Sequence, residues 1–305
     1  MRVAASIRCS RPEMTDILNL ALIQTRTPAT PAAALEHARP LILQAAASGA
    51  QLILLPECAN LMEARKERKA QVVTTEAEDI FIQGVRDLAE SLRVDILIGS
   101  AIIKSETDES PRSSSDSGSA PKNANRSLLI NARGDITARY DKIHLFDADT
   151  PDGRSYRESA TMRPGEEAVV VQTPIAGSAG RLGLTICYDV RFPHLYRALA
   201  KRGANMIAMC AAFTVPTGKA HWEVLLRSRA IETGCFVLAP AQGGLHEDGR
   251  TTYGHSMVIS PWGEVIARLD HDRPAVLEVS IDLSEVDRSR QALPSLQHDR
   301  EFRVL

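Results

Sequence analysis

Short, nearly unbroken apolar runs alternate with helix-length segments along this chain, and that alternation restricts the folds open to it. Residues 18–24, 51–55 and 94–103 are strand-sized and carry little polar content, as strands covered on both faces do. An Ala-rich stretch after Pro31 reads as a helix stopped by Gly49, and residues 75–92 have helical spacing. The pattern returns in the second half. Residues 169–172, 181–187, 205–210, 235–240, 252–259, 264–269 and 275–281 read as strands, and 193–202 and 220–233 as helices. Residues 126–138 form a predicted hairpin around Ala132-Arg-Gly-Asp135. The order is β-α-β-α-β, then hairpins, then β-α-β-α-β. Two similar α/β halves can stack sheet on sheet with helices outside, so the expected fold is an α/β four-layer α-β-β-α sandwich.

A chain of 305 residues can bury one large core or two modest ones. With 44% hydrophobic and 24% charged residues it has the composition of a soluble globular protein. A net charge of −2 gives no reason to expect nucleic acid or an anionic membrane as partner, and no apolar run is long enough to span a bilayer. The five cysteines, Cys9, Cys58, Cys187, Cys210 and Cys235, are odd in number and lack C-x-x-C spacing. Neither a disulfide framework nor a zinc site is supported, and a reducing, cytoplasmic setting is expected. Residues 1–17 read as a flexible basic leader, with a weak transit peptide as the other reading. Residues 104–125, rich in Ser, Pro and charge, read as a mobile loop inside the domain spanning 18–285. Residues 286–305 form a polar, Arg-rich tail that could contact a partner subunit.

Three segments carry candidate chemistry. Leu-Thr-Ile-Cys187-Tyr-Asp-Val-Arg-Phe-Pro ends a strand in a cysteine before a helix. Backbone N–H groups opening that helix would favour a thiolate, but a free cysteine is also a common small core residue. Leu-Leu-Pro-Glu57 delivers a carboxylate to the carboxyl end of a strand, where it serves either a ligand or the cap of the next helix. Lys142, in Tyr-Asp-Lys-Ile-His-Leu-Phe, is either partly buried by its apolar flanks or a solvated strand-end lysine. Glu158 alone reads equally as a surface carboxylate. Arg191 fits either a carboxylate clamp or an ion pair with Asp189 or Glu223. Phe213 and Thr214 open a loop at residues 213–218 suited to a pocket wall. His221 and Trp222 read as packing, Glu223 as a brace, and His255 as a core histidine on its strand.

Taken together, these segments and two more, Ala-His221-Trp-Glu-Val-Leu-Leu-Arg-Ser-Arg-Ala-Ile-Glu232 and Tyr253-Gly-His-Ser-Met-Val-Ile-Ser-Pro-Trp-Gly, resemble the nitrilase superfamily of carbon–nitrogen hydrolases. The likeness runs from about residue 18 to 300 and is strongest to the Nit branch, there to the deaminated glutathione amidases. It implies a Glu-Lys-Cys triad on Glu57, Lys142 and Cys187, with Glu158 as a second glutamate. It implies cleavage of a small linear amide, deaminated glutathione or a similar α-keto or ω-amide, to carboxylate and ammonia through a cysteinyl thioester. Oxyanion donors would be Lys142 and the Tyr188 backbone N–H, with Tyr188, Arg191, Phe213 and Thr214 around the substrate. No metal or organic cofactor is implied, and a homodimer or higher homo-oligomer is. The alternatives are an ω-amidase acting on α-ketoglutaramate and a non-catalytic binding protein of the same fold.

Overall fold

The computed structural model describes residues 17–105, 122–175 and 178–305. The expected leader, apart from Ile17, and positions 106–121 of the Ser-rich segment lie outside the described residues. In the first half, β1 (Ile17–Gln24), α1 (Pro31–Ala47), β2 (Leu52–Leu54), α2 (Lys66–Val72), α3 (Ile80–Leu92) and β3 (Asp95–Lys104) precede β4 (Asn123–Ile130) and β5 (Ile136–Asp141). A short hairpin, β6 (Asp147–Asp149) and β7 (Ser155–Arg157), leads to β8 (Val170–Ile175) and β9 (Ser178–Ile186). Then come α4 (Pro193–Lys201), β10 (Met206–Cys210), α5 (Val215–Thr233) and β11 (Phe236–Ala239). A second hairpin, β12 (Gly243–Leu245) and β13 (Thr251–Tyr253), precedes β14 (Met257–Ile259), β15 (Val265–Arg268), β16 (Ala275–Asp282) and α6 (Ser284–Ala292).

The strands form two six-stranded mixed sheets, ordered β16-β1-β2-β3-β4-β5 and β15-β14-β11-β10-β9-β8. Each has a parallel centre, β1-β2-β3 in one and β9-β10-β11 in the other, flanked by antiparallel strands. Side-chain alternation builds the layers. Leu18, Leu20 and Leu22 of β1 point between the sheets, where they join Leu182, Leu184 and Met206. Ala21 and Ile23 point the other way, against Ala34, Ala38 and Ile42 of α1 and Phe81 and Val85 of α3. Ile207, Met209 and Val237 face Leu195 and Leu199 of α4 and Trp222 and Leu226 of α5. The result is the α-β-β-α sandwich.

Several boundaries differ from the sequence reading. The helix expected from residue 75 starts at Ile80, because the Asp79 carboxylate accepts the Ile82 N–H at 2.9 Å and caps it. The short polar α2 was not anticipated; it buries none of its residues and so carries no apolar periodicity. α5 begins at Val215 rather than 220, with Pro216 in its first turn, so most of the expected 213–218 loop is helical. The strand expected over 252–259 is broken by Gly254 and His255, both at positive φ (71° and 58°), so His255 sits in a bend and not on a strand. Lys104 belongs to β3, and Asn123 and Asn125 to β4. The C-terminal segment folds back on its own chain: Arg290 donates to the Ala204 carbonyl at 2.7 Å, and Asp299 pairs with Arg197 and Lys201. Among the described residues no helix is long and apolar enough to cross a membrane.

Candidate active site

Glu57 leaves β2 on a loop laced to β3. The Leu55 N–H donates to Leu97 O at 2.8 Å, Ser100 N–H to Pro56 O at 3.1 Å, and Cys58 N–H to Ser100 Oγ at 2.8 Å. Gly99 makes this approach possible, since a Cβ there would lie 1.9 Å from Leu55 O and 2.5 Å from Cys210 Cβ. From the other side Gln242, fully buried, donates to Glu57 O at 2.9 Å. The carboxylate is therefore held on a rigid backbone. It is also held at its tip: Ala212 N–H donates to Oε2 at 2.9 Å and Asn125 Nδ2 to Oε1 at 3.1 Å.

Lys142 follows β5, its N–H donating to Asn125 O at 2.9 Å. Its side chain is only 2% exposed, and its Nζ donates to Glu57 Oε1 at 2.8 Å and to Glu158 Oε2 at 2.9 Å. Glu158 opens a one-turn 3₁₀ helix, with Oε2 also accepting the Phe146 N–H at 2.7 Å. Burial opposes the charge on Lys142, but Glu158, Glu57 and the nearby Cys187 outweigh it and hold the ammonium well above the ordinary lysine range. Burial likewise pushes Glu158 up, and Lys142 with its other donors more than reverses that, leaving it low. An ammonium thus stays charged between two carboxylates in a nearly dry setting. Asn125 bridges the same two acids, donating to Glu158 Oε1 at 3.1 Å as well. The sequence alone puts Asn125 in the loop at 104–125, because its flanks, Asn123-Ala-Asn125-Arg, lack the apolar alternation that marks a strand.

Cys187 stands where β9 ends, at φ 46°, a left-handed conformation uncommon for a non-glycine residue. The turn is held by Asp189, fully buried, which accepts the Ile186 N–H at 2.8 Å. The same carboxylate accepts the Tyr140 hydroxyl at 2.6 Å, the His144 N–H at 3.1 Å, and the His144 Nδ1–H at 2.7 Å. Tyr140 and His144 flank Lys142 in sequence, so one carboxylate ties the cysteine turn to the lysine segment.

The expectation of a resting thiolate is corrected. Burial, then the Glu57 carboxylate hydrogen-bonded to the thiol, push Cys187 well above the ordinary thiol range, against the pull of Lys142 and the Ala212 N–H. Residues 187–191 form a single 3₁₀ turn rather than the start of a long helix, so little helix dipole reaches the sulfur. The thiol rests protonated beside a carboxylate. Cys58, on the same cavity, is pushed up to about 12, again chiefly by burial and by Glu57.

These groups open on a cavity of about 560 Å³, a size suited to a small-molecule ligand. Glu57, Lys142, Glu158, Cys187, Asn125 and Thr214 all line it. Tyr188, Arg191 and Phe213 are not among its lining residues. Tyr188 packs edge-on against Phe146, which does line the cavity, at 5.0 Å. Arg191 pairs with neither Asp189 nor Glu223; its guanidinium lies 5.8 Å from the Tyr188 ring centre and 5.7 Å from that of Phe213. Phe213 is buried against Trp222, whose Nε1–H donates to His255 O at 2.8 Å. Glu223 pairs with Arg227 and Arg268 at the surface. No group of His, Cys, Asp and Glu suited to a metal ion occurs among the described residues.

Comparison with known proteins gives a consistent picture. Residues 19–291 match the carbon–nitrogen hydrolase family. The chain is 41% identical over 266 residues to the deaminated glutathione amidase of Synechocystis sp., covering 87% of this chain and 91% of that protein. To the deaminated glutathione amidase of Yersinia enterocolitica it is 43% identical over 255 residues, 83% of each. Its fold matches the crystal structure of Saccharomyces cerevisiae Nit3, a member of branch 10 of the nitrilase superfamily, with a TM-score of 0.78 at 26% identity, covering 92% of this chain and 96% of that one.

Proposed function

This chain belongs to the carbon–nitrogen hydrolase family and hydrolyses amide C–N bonds, and we propose that it does so through Cys187, Glu57 and Lys142, with deaminated glutathione as substrate. The observation that carries the assignment of roles is the buried ammonium of Lys142, 2.8 Å from Glu57 and 2.9 Å from Glu158, on the cavity that Cys187 also lines. The substrate follows from the relatives named deaminated glutathione amidase at 41% and 43% identity.

In this reading Glu57 takes the thiol proton as sulfur attacks the amide carbonyl. A thiol held protonated at rest makes that transfer part of the attack. The developing oxyanion is stabilised by Lys142, whose charge is fixed by its two acids, together with the Tyr188 backbone N–H. Glu57 returns the proton to the leaving nitrogen, and the C–N bond breaks to leave a thioester on Cys187. Water, deprotonated by Glu57, then attacks the thioester, releasing the carboxylate and restoring the thiol. Glu158 and Asn125 hold Lys142 and Glu57 in register.

For deaminated glutathione the leaving group is the amine of cysteinylglycine. Ammonia is the product only from a terminal amide such as α-ketoglutaramate. The test is release of α-ketoglutarate and cysteinylglycine by the purified protein, with kcat/KM compared against α-ketoglutaramate. Wild type is expected to favour deaminated glutathione, and Cys187→Ala to abolish turnover with the fold retained. Turnover by a pure Cys187→Ala sample would remove the nucleophile assignment, and a preference for α-ketoglutaramate would change the substrate. The reading extends to a homodimer, supported by exposed Val224 and Ile231 on α5 and by Trp262, which lines a groove with Ile231; a monomer in analytical sedimentation would remove that part.

A further inference from the structure

The cavity's acids are already matched. Glu57 and Glu158 share Lys142, and Glu63 is held by Arg65 through Nε at 2.7 Å. Two of its cations are not. Lys66 and Lys69, three residues apart on α2 and so on one helix face, both line the cavity, and neither ammonium has a hydrogen-bond or ion-pair partner among the described residues. Lys69 is half-buried, and burial pulls its ammonium below the ordinary lysine range, with no acid in contact to offset that cost. Arg250, on the same cavity and near enough for its charge to act on Lys69, is oriented by Asp248, from Nε to Oδ2 at 2.7 Å, which leaves Nη2 against the thioether sulfur of Met62 at 2.8 Å. Sulfur is a weak acceptor, so this guanidinium edge has unused donor capacity on the cavity side.

We propose that Lys69, with Lys66 and the free edge of Arg250, forms an anion subsite at the cavity mouth that holds a carboxylate on the leaving-group side of the substrate. The proposal rests on the amidase reading above and narrows its substrates to acidic amides. The side is set by the order of events. The acyl half stays bonded to Cys187 as the thioester, whereas the leaving amine must depart past the mouth, where Lys66 is exposed and Lys69 half-exposed. A carboxylate there meets unpaired donors and relieves the desolvated Lys69, so recognition costs no existing ion pair.

The test uses α-ketoglutaryl-cysteinylglycine and the same compound ending in glycinamide. Lys69→Met is expected to lower kcat/KM for the acid-ended amide about 10–100-fold and for the glycinamide-ended one less than about threefold. Lys69→Arg should retain the preference for the acid. Equal losses on both compounds, or a wild type indifferent to the terminal charge, would overturn the subsite. Calorimetry in the Cys187→Ala background separates this from failure of the amidase reading. Tighter binding of the acid-ended ligand that is lost in Cys187→Ala/Lys69→Met supports the subsite even without turnover, and equal binding of the two ligands overturns it.

Discussion

Asp189→Asn tests whether the buried carboxylate behind Cys187 aligns the site. Asp189 Oδ2 accepts from Tyr140 Oη–H at 2.6 Å and Ile186 N–H at 2.8 Å, and Oδ1 from His144 N–H at 3.1 Å and Nδ1–H at 2.7 Å. Asparagine has one acceptor oxygen, so its NH₂ must face one of these pairs. If it faces the first, the tyrosine hydroxyl can rotate and accept, but the Ile186 N–H loses its acceptor. If it faces the second, Nδ1 of neutral His144 can accept, but the His144 N–H is orphaned. Either way one backbone donor is stranded, at about 1–3 kcal/mol, and the charge assistance of the remaining bonds is lost. The expected destabilisation is about 2–4 kcal/mol, read in urea as a lower midpoint at unchanged m. The Lys142 segment and the Cys187 turn share this anchor. At a temperature where the variant is fully folded, kcat should therefore fall at least about tenfold while KM stays within about threefold. A loss of stability below about 1 kcal/mol would refute the hydrogen-bond accounting. Full stability loss with unchanged kcat would make the residue purely structural.

Lys142→Met removes the cation from between two buried acids. It should lower kcat by about 10²–10³ as an oxyanion donor and destabilise the fold by about 3–5 kcal/mol through the unpaired carboxylates; an unchanged kcat at saturating substrate would end the oxyanion role. His246 is 3% exposed, bonded through Nε2 to Thr252 Oγ1 at 2.8 Å, and burial lowers its pKa from 6.5 to about 4. The unfolded chain binds this proton first, so stability is complete above about pH 6.5 and falls as pH drops toward 4, by about 3 kcal/mol from this group. Unfolding curves of wild type and His246→Gln between pH 7 and 4 should converge as pH falls, and parallel curves would exclude the buried neutral histidine.

How far the sequence speaks depends on how local the cause is. The layers were legible because period-two and continuous apolar runs are local statements about which faces are covered, and β1, β3, β9 and β10 lie within a residue or three of their expected places. The polar group Glu57, Lys142, Glu158 and Cys187 was legible only through resemblance, since each residue alone fits a surface or core role equally well. Asn125 was hidden by its polar neighbours, and α2 by its lack of an apolar face. Arg191, Phe213 and Tyr188 show a different limit. They are close to the site in sequence, yet their side chains stack on one another behind the lining rather than in it.

The resting state of Cys187 depends on three-dimensional balance that no short segment encodes. A strand-end thiol before a helix suggests a thiolate, and the suggestion fails first because the sulfur is buried and then because the Glu57 carboxylate repels a second anion. The Lys142 ammonium that would favour the thiolate is already shared by two acids. A thiolate would therefore add a third negative charge to one buried cation, and in the proposed mechanism the proton stays on sulfur until attack begins. The same shortage of cations near the sulfur and surplus at the mouth gives the cavity a polarity. Anionic groups of a substrate are disfavoured next to Cys187 and favoured beside Lys69, which orients an acidic amide with its neutral carbonyl toward the thiol.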